Sequence, residues 1–73
     1  MAYTTRLSAT VTVSSKDVRL TRALVEREHT ITGLGERVVV YQNKTTGRCS
    51  LRARGQVTTF PTLAQAYAAA LAL

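Results

Sequence analysis

Hydrophobic and polar residues alternate with a period of two near the start of the chain. The apolar positions are Leu7, Ala9, Val11 and Val13. Arginine, serine and threonine residues fill the positions between them, from Arg6 to Ser14. Because successive side chains of a strand point to opposite faces, this pattern predicts a β-strand with one buried face and one exposed face.

A second strict alternation runs from Arg48 to Arg54. Its apolar positions are Cys49, Leu51 and Ala53, and its polar positions are Arg48, Ser50, Arg52 and Arg54. A β-branched segment at 37–42 and a polar turn cluster at 43–47 precede it. After Gly55, residues 57–60 fit a third short strand. These signals predict an antiparallel meander of three strands.

The C-terminal segment has helical spacing. Thr62 and Gln65 stand at the distance of a capping box, which marks the start of a helix. The apolar positions that share one helical face after this cap are Leu63, Ala66, Tyr67, Ala70 and Leu71. The segment is therefore predicted to form a helix that packs on the meander.

An earlier helix is predicted to open at Ser14 and to run to about His29. Ser14 and Asp17 repeat the capping-box spacing, and Leu20 and Leu24 lie on one thin apolar stripe. Because Val18 and Leu20 also fit an alternating pattern, a second strand remains an alternative for this segment.

These elements predict an α+β fold in the order β-α-β-β-β-α, with the helices on one face of a small antiparallel sheet. The 73 residues are expected to form a single domain. Within it, 1–32 would hold the first strand and helix, 33–36 a glycine-containing linker, and 37–73 the basic meander and last helix. The pattern leaves open whether the first strand joins the meander or pairs separately.

The register of the meander can also be predicted. If Gln42 and Gly47 close the turn, Val40 faces Cys49 and Val38 faces Leu51, so that apolar residues meet on one side. On the other side, Arg37 would then lie opposite Arg52, a mildly destabilising pair of like charges.

The positive charge is concentrated in the second half of the chain. The formal net charge is +6, and the last acidic residue is Glu36. The predicted exposed face of the meander carries Arg37, Tyr41, Arg48, Arg52 and Arg54. This face is either a solvated surface or a contact surface for an anionic partner. Arginine favours the second interpretation, since its planar guanidinium suits both phosphate and carboxylate groups.

The sequence does not indicate an enzyme, a metal site, a cofactor or a small-molecule substrate. Cys49 is the single cysteine and is predicted to be buried, and His29 is the single histidine, without other ligands at metal spacing. No nucleophile, base and orienting group can be assembled. Apolar runs are too short for a signal peptide or a membrane span, so a cytoplasmic protein without membrane contact is expected.

Two families resemble the chain. The segment 37–73 is similar in element order and basic face to the arm-type DNA-binding modules of phage integrases. The whole chain, from Met1-Ala2-Tyr3-Thr4-Thr5 to the alanine-rich end, resembles the small regulators by which lytic phages take over host RNA polymerase. Its resemblance is greatest to the transcription inhibitor and antiterminator type found in a Xanthomonas phage.

The second resemblance implies a regulator that binds a subunit of bacterial RNA polymerase, inhibits initiation or alters termination, and acts in the host cytoplasm. It assigns no individual binding residues. The alternative is a free-standing DNA-binding protein that uses the arginine-rich sheet face, and a structural or assembly protein is a third class. Direct contact with nucleic acid is compatible with either of the first two functions.

Overall fold

The computed structural model describes residues 3–19 and 25–73. These residues form six strands and one helix. The elements in chain order are β1 (Tyr3–Arg6), β2 (Thr12–Arg19), β3 (Val25–Thr32), β4 (Val38–Asn43), β5 (Cys49–Ala53), β6 (Gln56–Phe60) and α1 (Leu63–Leu71). The fold is a small domain that is mostly β, so the predicted α+β pattern is met only by the meander and the C-terminal helix.

All six strands belong to one antiparallel sheet, in which spatial order equals chain order. This arrangement answers the question that the sequence left open, because β1 and β2 continue the sheet beyond the meander. Helix α1 packs on β4, β5 and β6 from one side. The buried apolar cluster on that side comprises Val11, Val13, Ile31, Val38, Val40, Cys49, Leu51, Ala66 and Ala70.

The predicted helix that opens at Ser14 and runs to about His29 is wrong. Asp17 to Arg19 end β2 and Val25 to His29 begin β3, while 20–24 lie outside the described residues. The two strands pair directly, with Asp17 opposite Arg27. The Asp17 side chain does not cap a helix, since its carboxylate binds Arg27 at 3.3 Å and Lys44 at 2.7 Å. Pairing in the sheet gives the backbone of these residues hydrogen-bond partners on neighbouring strands, whereas the thin apolar stripe would give a helix little surface to bury.

The first predicted strand is interrupted. β1 ends at Arg6, and the chain turns before β2, with the Leu7 amide donating to the Val11 carbonyl over 2.9 Å. Val11 and Val13 are buried as the alternation predicts, whereas Ala9 is exposed in the turn.

The segment 33–36, predicted as a linker between two halves, connects the paired strands β3 and β4. Gly33 has a φ of +104°, and a Cβ at this position would overlap the carbonyl oxygen of Thr10. The connection is thus packed against the β1–β2 turn, and glycine is required there for both conformation and space.

The predicted register between β4 and β5 is shifted by two residues. Val40 faces Leu51, and Val39, instead of Arg37, faces Arg52. The predicted Arg37–Arg52 pair is therefore wrong. A shift of two preserves the faces of the sheet, so Cys49 and Leu51 are buried as predicted.

The turn explains the shift. The Asn43 amide donates to the Arg48 carbonyl over 2.9 Å, so that Asn43 and Arg48 close the turn instead of Gln42 and Gly47. The Asn43 side chain accepts hydrogen bonds from the amides of Thr45 and Thr46. This Asx-type arrangement fixes where β4 ends.

Helix α1 begins at the predicted cap, because the Thr62 hydroxyl accepts from the Gln65 amide over 3.3 Å. Ala66 and Ala70 are fully buried against the sheet, and Leu63 and Tyr67 pack beside them. Leu71, predicted on the same face, is 44% exposed. The small alanine side chains allow the helix to lie close to the sheet, and the helix ends at Leu71.

Candidate binding groove on the open face of the sheet

The side of the sheet away from α1 is called the open face here. Side chains that alternate with the core point to this side, and the described helix does not cover it. Its central positions, from β2 to β6, are Lys16, Glu26, Glu28, Thr30, Val39, Tyr41, Ser50, Arg52, Val57 and Thr59. The predicted basic face belongs to this side, so its orientation away from the core is confirmed for Arg52 and Tyr41.

A groove of about 400 Å³ lies on the open face over β4, β5 and β6. We call it the arginine groove. Its lining residues are Arg37, Val39, Tyr41, Arg52, Ala53, Arg54, Gly55, Gln56 and Val57. Four of the five residues predicted from the sequence are therefore brought together, and Val39 and Val57 supply an apolar floor that the sequence did not single out.

Arg52 and Tyr41 form the centre of the groove. The Arg52 guanidinium lies 4.9 Å from the centre of the Tyr41 ring, a cation–π contact. The Tyr41 hydroxyl donates to Glu28 over 3.0 Å, and this hydrogen bond, together with burial, raises the pKa of Tyr41. The ring is thus fixed between β3 and β5 and holds the exposed guanidinium in place.

Arg37 and Arg54 lie at one end of the groove. Arg54 and Glu36 form a two-pronged ion pair with contacts of 2.9 to 3.1 Å, which lowers the pKa of Glu36. The carboxylate of Glu36 thus largely neutralises the charge of Arg54. Arg37 is exposed and makes no ion pair with a described residue. Its positive charge opposes, by a smaller amount, the rise in the pKa of Tyr41 that Glu28 and burial cause.

Arg48, the fifth predicted residue, is not part of the groove. It lies at the turn between β4 and β5, outside both strands. Four residues along a strand separate it from Arg52, a distance of about 13 Å. The groove therefore contains four of the five predicted residues, and Arg48 lies apart from it at the hydrogen-bonded turn.

The charge on the open face changes sign between β3 and β4. Glu26 and Glu28 lie on β3 beside the groove, and Glu28 is 3.9 Å from Lys16 on β2. The basic region is consequently confined to three strands, about 10 Å wide. The two glutamates place a negative boundary along one side of the groove.

A buried polar cluster on the opposite side of the sheet was missed by the sequence reasoning. His29 and Ser15 are fully buried, and the Ser15 hydroxyl lies 2.6 Å from Nδ1 of His29. The Tyr67 hydroxyl is 2.9 Å from the same nitrogen, and Gln42 Oε1 is 3.1 Å from Nε2. Burial lowers the pKa of His29 and so disfavours its charged form. In the neutral ring, a proton on Nε2 would be donated to Oε1 of Gln42.

This cluster joins a serine and a histidine, yet it is enclosed by the sheet and α1. Neither Ser15 nor His29 reaches solvent, so the pair cannot meet a substrate in this conformation. The alternation of His29 with Ile31 was the signal that could have placed the histidine in the core.

Cys49 lies on the core face as predicted, and burial raises the pKa of its thiol. Within 3–19 and 25–73, His, Cys, Asp and Glu side chains do not gather in a group of three or more that could bind a metal ion. The part of the chain that the structure describes also contains no helix with the length and hydrophobicity of a membrane span.

Comparison with protein-family models, with curated proteins and with solved structures found no match to this chain. The two resemblances therefore stay predictions, and the function has to be inferred from the groove itself.

Proposed function

We propose that this protein is a non-enzymatic regulator that binds an acidic surface of a protein partner through the arginine groove. The arrangement of Arg52 on Tyr41 above an apolar floor supports this proposal most directly. A cation held by a fixed aromatic ring is already ordered before a partner arrives, which lowers the entropy lost on binding.

The electrostatics support an anionic partner. Arg37 and Arg52 are exposed on the groove without an ion pair to a described acid. No acidic residue follows Glu36 in the chain, whose formal net charge is +6. A concave surface with charges of one sign attracts carboxylates or phosphates and speeds their association.

The composition of the groove favours a protein over duplex DNA. With Arg54 bound to Glu36 and Arg48 outside, few uncompensated cations face a ligand, whereas salt-sensitive DNA binders make about six to ten phosphate contacts. Glu26 and Glu28 would also repel a phosphate backbone that extended past β4. An apolar floor with tyrosine and arginine is typical of the energetic centre of a protein–protein interface.

The partner that we propose is a subunit of bacterial RNA polymerase, as the resemblance to phage regulators implies. Binding there would inhibit initiation or alter termination. The physical requirement is an acidic patch with an apolar centre that matches Val39 and Val57.

The test is capture of the polymerase from a bacterial lysate. The tagged protein is incubated with a nuclease-treated lysate at physiological salt, and the retained polymerase subunits are identified by mass spectrometry. Arg52→Glu should reduce retention by at least about tenfold. Arg6→Glu is the matched control, because it changes the net charge by the same amount as Arg52→Glu. Arg6 lies on β1, about 19 Å across the sheet from β5.

Equal loss in the two variants would show that net charge, not the groove, drives binding. Retention that disappears with nuclease treatment would instead favour the DNA-binding alternative. In that case, affinity for duplex DNA should fall by about a thousandfold between 50 and 200 mM salt.

A further inference from the structure

Strand β6 is an edge of the sheet, and no described strand pairs with its outer side. It pairs with β5 on one side and is the last strand in the spatial order. Gln56, Val57, Thr58 and Thr59 are all exposed. Natural sheets usually guard such an edge with charged residues, proline or a bulge, whereas β6 reads Gln-Val-Thr-Thr-Phe and pairs in unbroken register.

The turn before β6 determines which of its backbone groups are free. Arg54 and Gly55 form a two-residue turn, both with positive φ, and Ala53 faces Gln56 across it. The residues that close such a hairpin exchange hydrogen bonds with each other. Gln56, Thr58 and Phe60 therefore bond to β5, and the amides and carbonyls of Val57 and Thr59 point outward from the edge.

The arginine groove borders the same edge. Val57 lines the groove and lies directly opposite Arg52 in β5. A strand added to β6 would lie about 5 Å from Val57 and about 10 Å from β5. Its side chains on the open face would then be within reach of the Arg52 guanidinium. Acidic side chains at alternate positions would match this charge.

We propose that β6 binds an extended acidic segment of the partner as a seventh strand. The backbone of that segment would bond to Val57 and Thr59, and its alternate carboxylates would enter the arginine groove. The acidity of the segment rests on the proposed function, whereas the strand addition rests on the free edge. A second copy of this chain fits less well, because each copy carries a net charge of +6 and would bring its own arginines to the junction.

The probe is a short, capped synthetic peptide of alternating glutamate and threonine, and the readout is amide hydrogen exchange of the full chain. When the free peptide concentration is about ten times its Kd, exchange at Val57 and Thr59 should slow by about tenfold. The Thr58 amide already bonds to β5, so its exchange should change little. This alternating pattern of protection is specific to strand addition.

A pair of variants tests the same contact by affinity. Thr59→Pro removes an outward amide without removing a bond to β5, and it should weaken peptide binding by at least about tenfold. Thr59→Val keeps the amide and serves as the control. Thermal melts of both variants verify that the sheet remains folded, and the exchange experiment on the unchanged chain does not depend on the proline variant.

Three results would overturn strand addition. Peptide binding without protection of Val57 and Thr59 would mean that the carboxylates bind side chains alone, and the proposed function would stand. Protection that rises with protein concentration in the absence of peptide would identify a second copy as the occupant. If the peptide does not bind at all while Arg52→Glu still abolishes polymerase retention, the partner uses the groove without the edge.

Discussion

The Tyr67 hydroxyl lies 2.9 Å from Nδ1 of His29, and this hydrogen bond joins the helix to the third strand. The two rings meet edge to face, with centres 5.7 Å apart. Because His29 also contacts Ser15 and Gln42, every polar atom of the buried ring is satisfied. Burial of the ring disfavours its charged form and lowers the pKa of His29, so protonation of this residue opposes the packing of the cluster.

Stability should therefore depend on pH through His29. Burial lowers its folded-state pKa below the ordinary value of 6.5, so the unfolded chain binds the proton more readily. The stabilisation is complete above about pH 6.5 and is lost progressively as the pH falls toward the folded-state pKa. Thermal melts between pH 8 and pH 5 should show a falling Tm.

His29→Gln provides the control for this titration, since its amide does not ionise. We expect a lower Tm at neutral pH, from lost packing, and a flatter profile between pH 8 and pH 5. An equally steep profile in the variant would assign the pH dependence to other groups. Asp17 and Glu36 also have lowered pKa values, from Lys44 and Arg54 respectively, but they titrate below this window.

Replacing Leu51 tests the facing of β5. Leu51 is buried in the cluster beneath α1, so Leu51→Ala should reduce the free energy of unfolding by about 2–5 kcal/mol. Leu71→Ala removes the same atoms from a side chain that is 44% exposed and should change it by about 0.5 kcal/mol or less. Urea unfolding measures both values, and similar losses would contradict the placement of the core.

Gly33→Ala tests the contact between the β3–β4 connection and the β1–β2 turn. The new methyl group would overlap the Thr10 carbonyl in a backbone that is already at positive φ. Gly35→Ala is the matched control, because its φ is +79° but no atom lies near the added Cβ. The control should lose about 1–2 kcal/mol through backbone strain alone. Gly33→Ala should lose clearly more, and equal losses would show that the two turns do not touch.

Removing the acid that neutralises Arg54 should tighten binding in the groove. Glu36→Gln breaks the two-pronged ion pair and frees a guanidinium, so affinity for the acidic peptide should rise by about two- to fivefold. Glu26→Gln, on β3, changes the net charge by the same amount without affecting the Glu36–Arg54 ion pair, and it serves as the control. Fluorescence anisotropy of a labelled peptide measures both affinities. No difference between the variants would mean that Arg54 does not contact the ligand.

Much of the meander could be predicted because its signals are local. Alternation at 48–54, the polar turn cluster and the Thr62 cap each depend on residues near in sequence. The alternating pattern predicts that Leu51 and Arg52 lie on opposite faces of the sheet. A register shift of two residues leaves each of them on the same face. The cap and the buried alanines of α1 were predicted for the same reason.

The segment after Asp17 was mispredicted because local spacing fits a helix as well as a strand there. The pairing of β3 with β2 on one side and with β4 on the other decides the outcome for residues 25–29. Sequence also could not place Glu36 on Arg54 or Glu28 on Tyr41. Those contacts bring together residues from different strands, and they change which arginines are available to a partner.

The sequence by itself determined the three-stranded basic unit, the capped helix and the side of the sheet on which Arg52 lies, since chain periodicity and turn chemistry act over a few residues. Only the tertiary structure decided the six-stranded order, the buried environment of His29 and the gathering of Arg37, Arg52 and Arg54 into one groove without Arg48. Each of these depends on strand pairing and register, where many weak contacts between distant residues outweigh local preference.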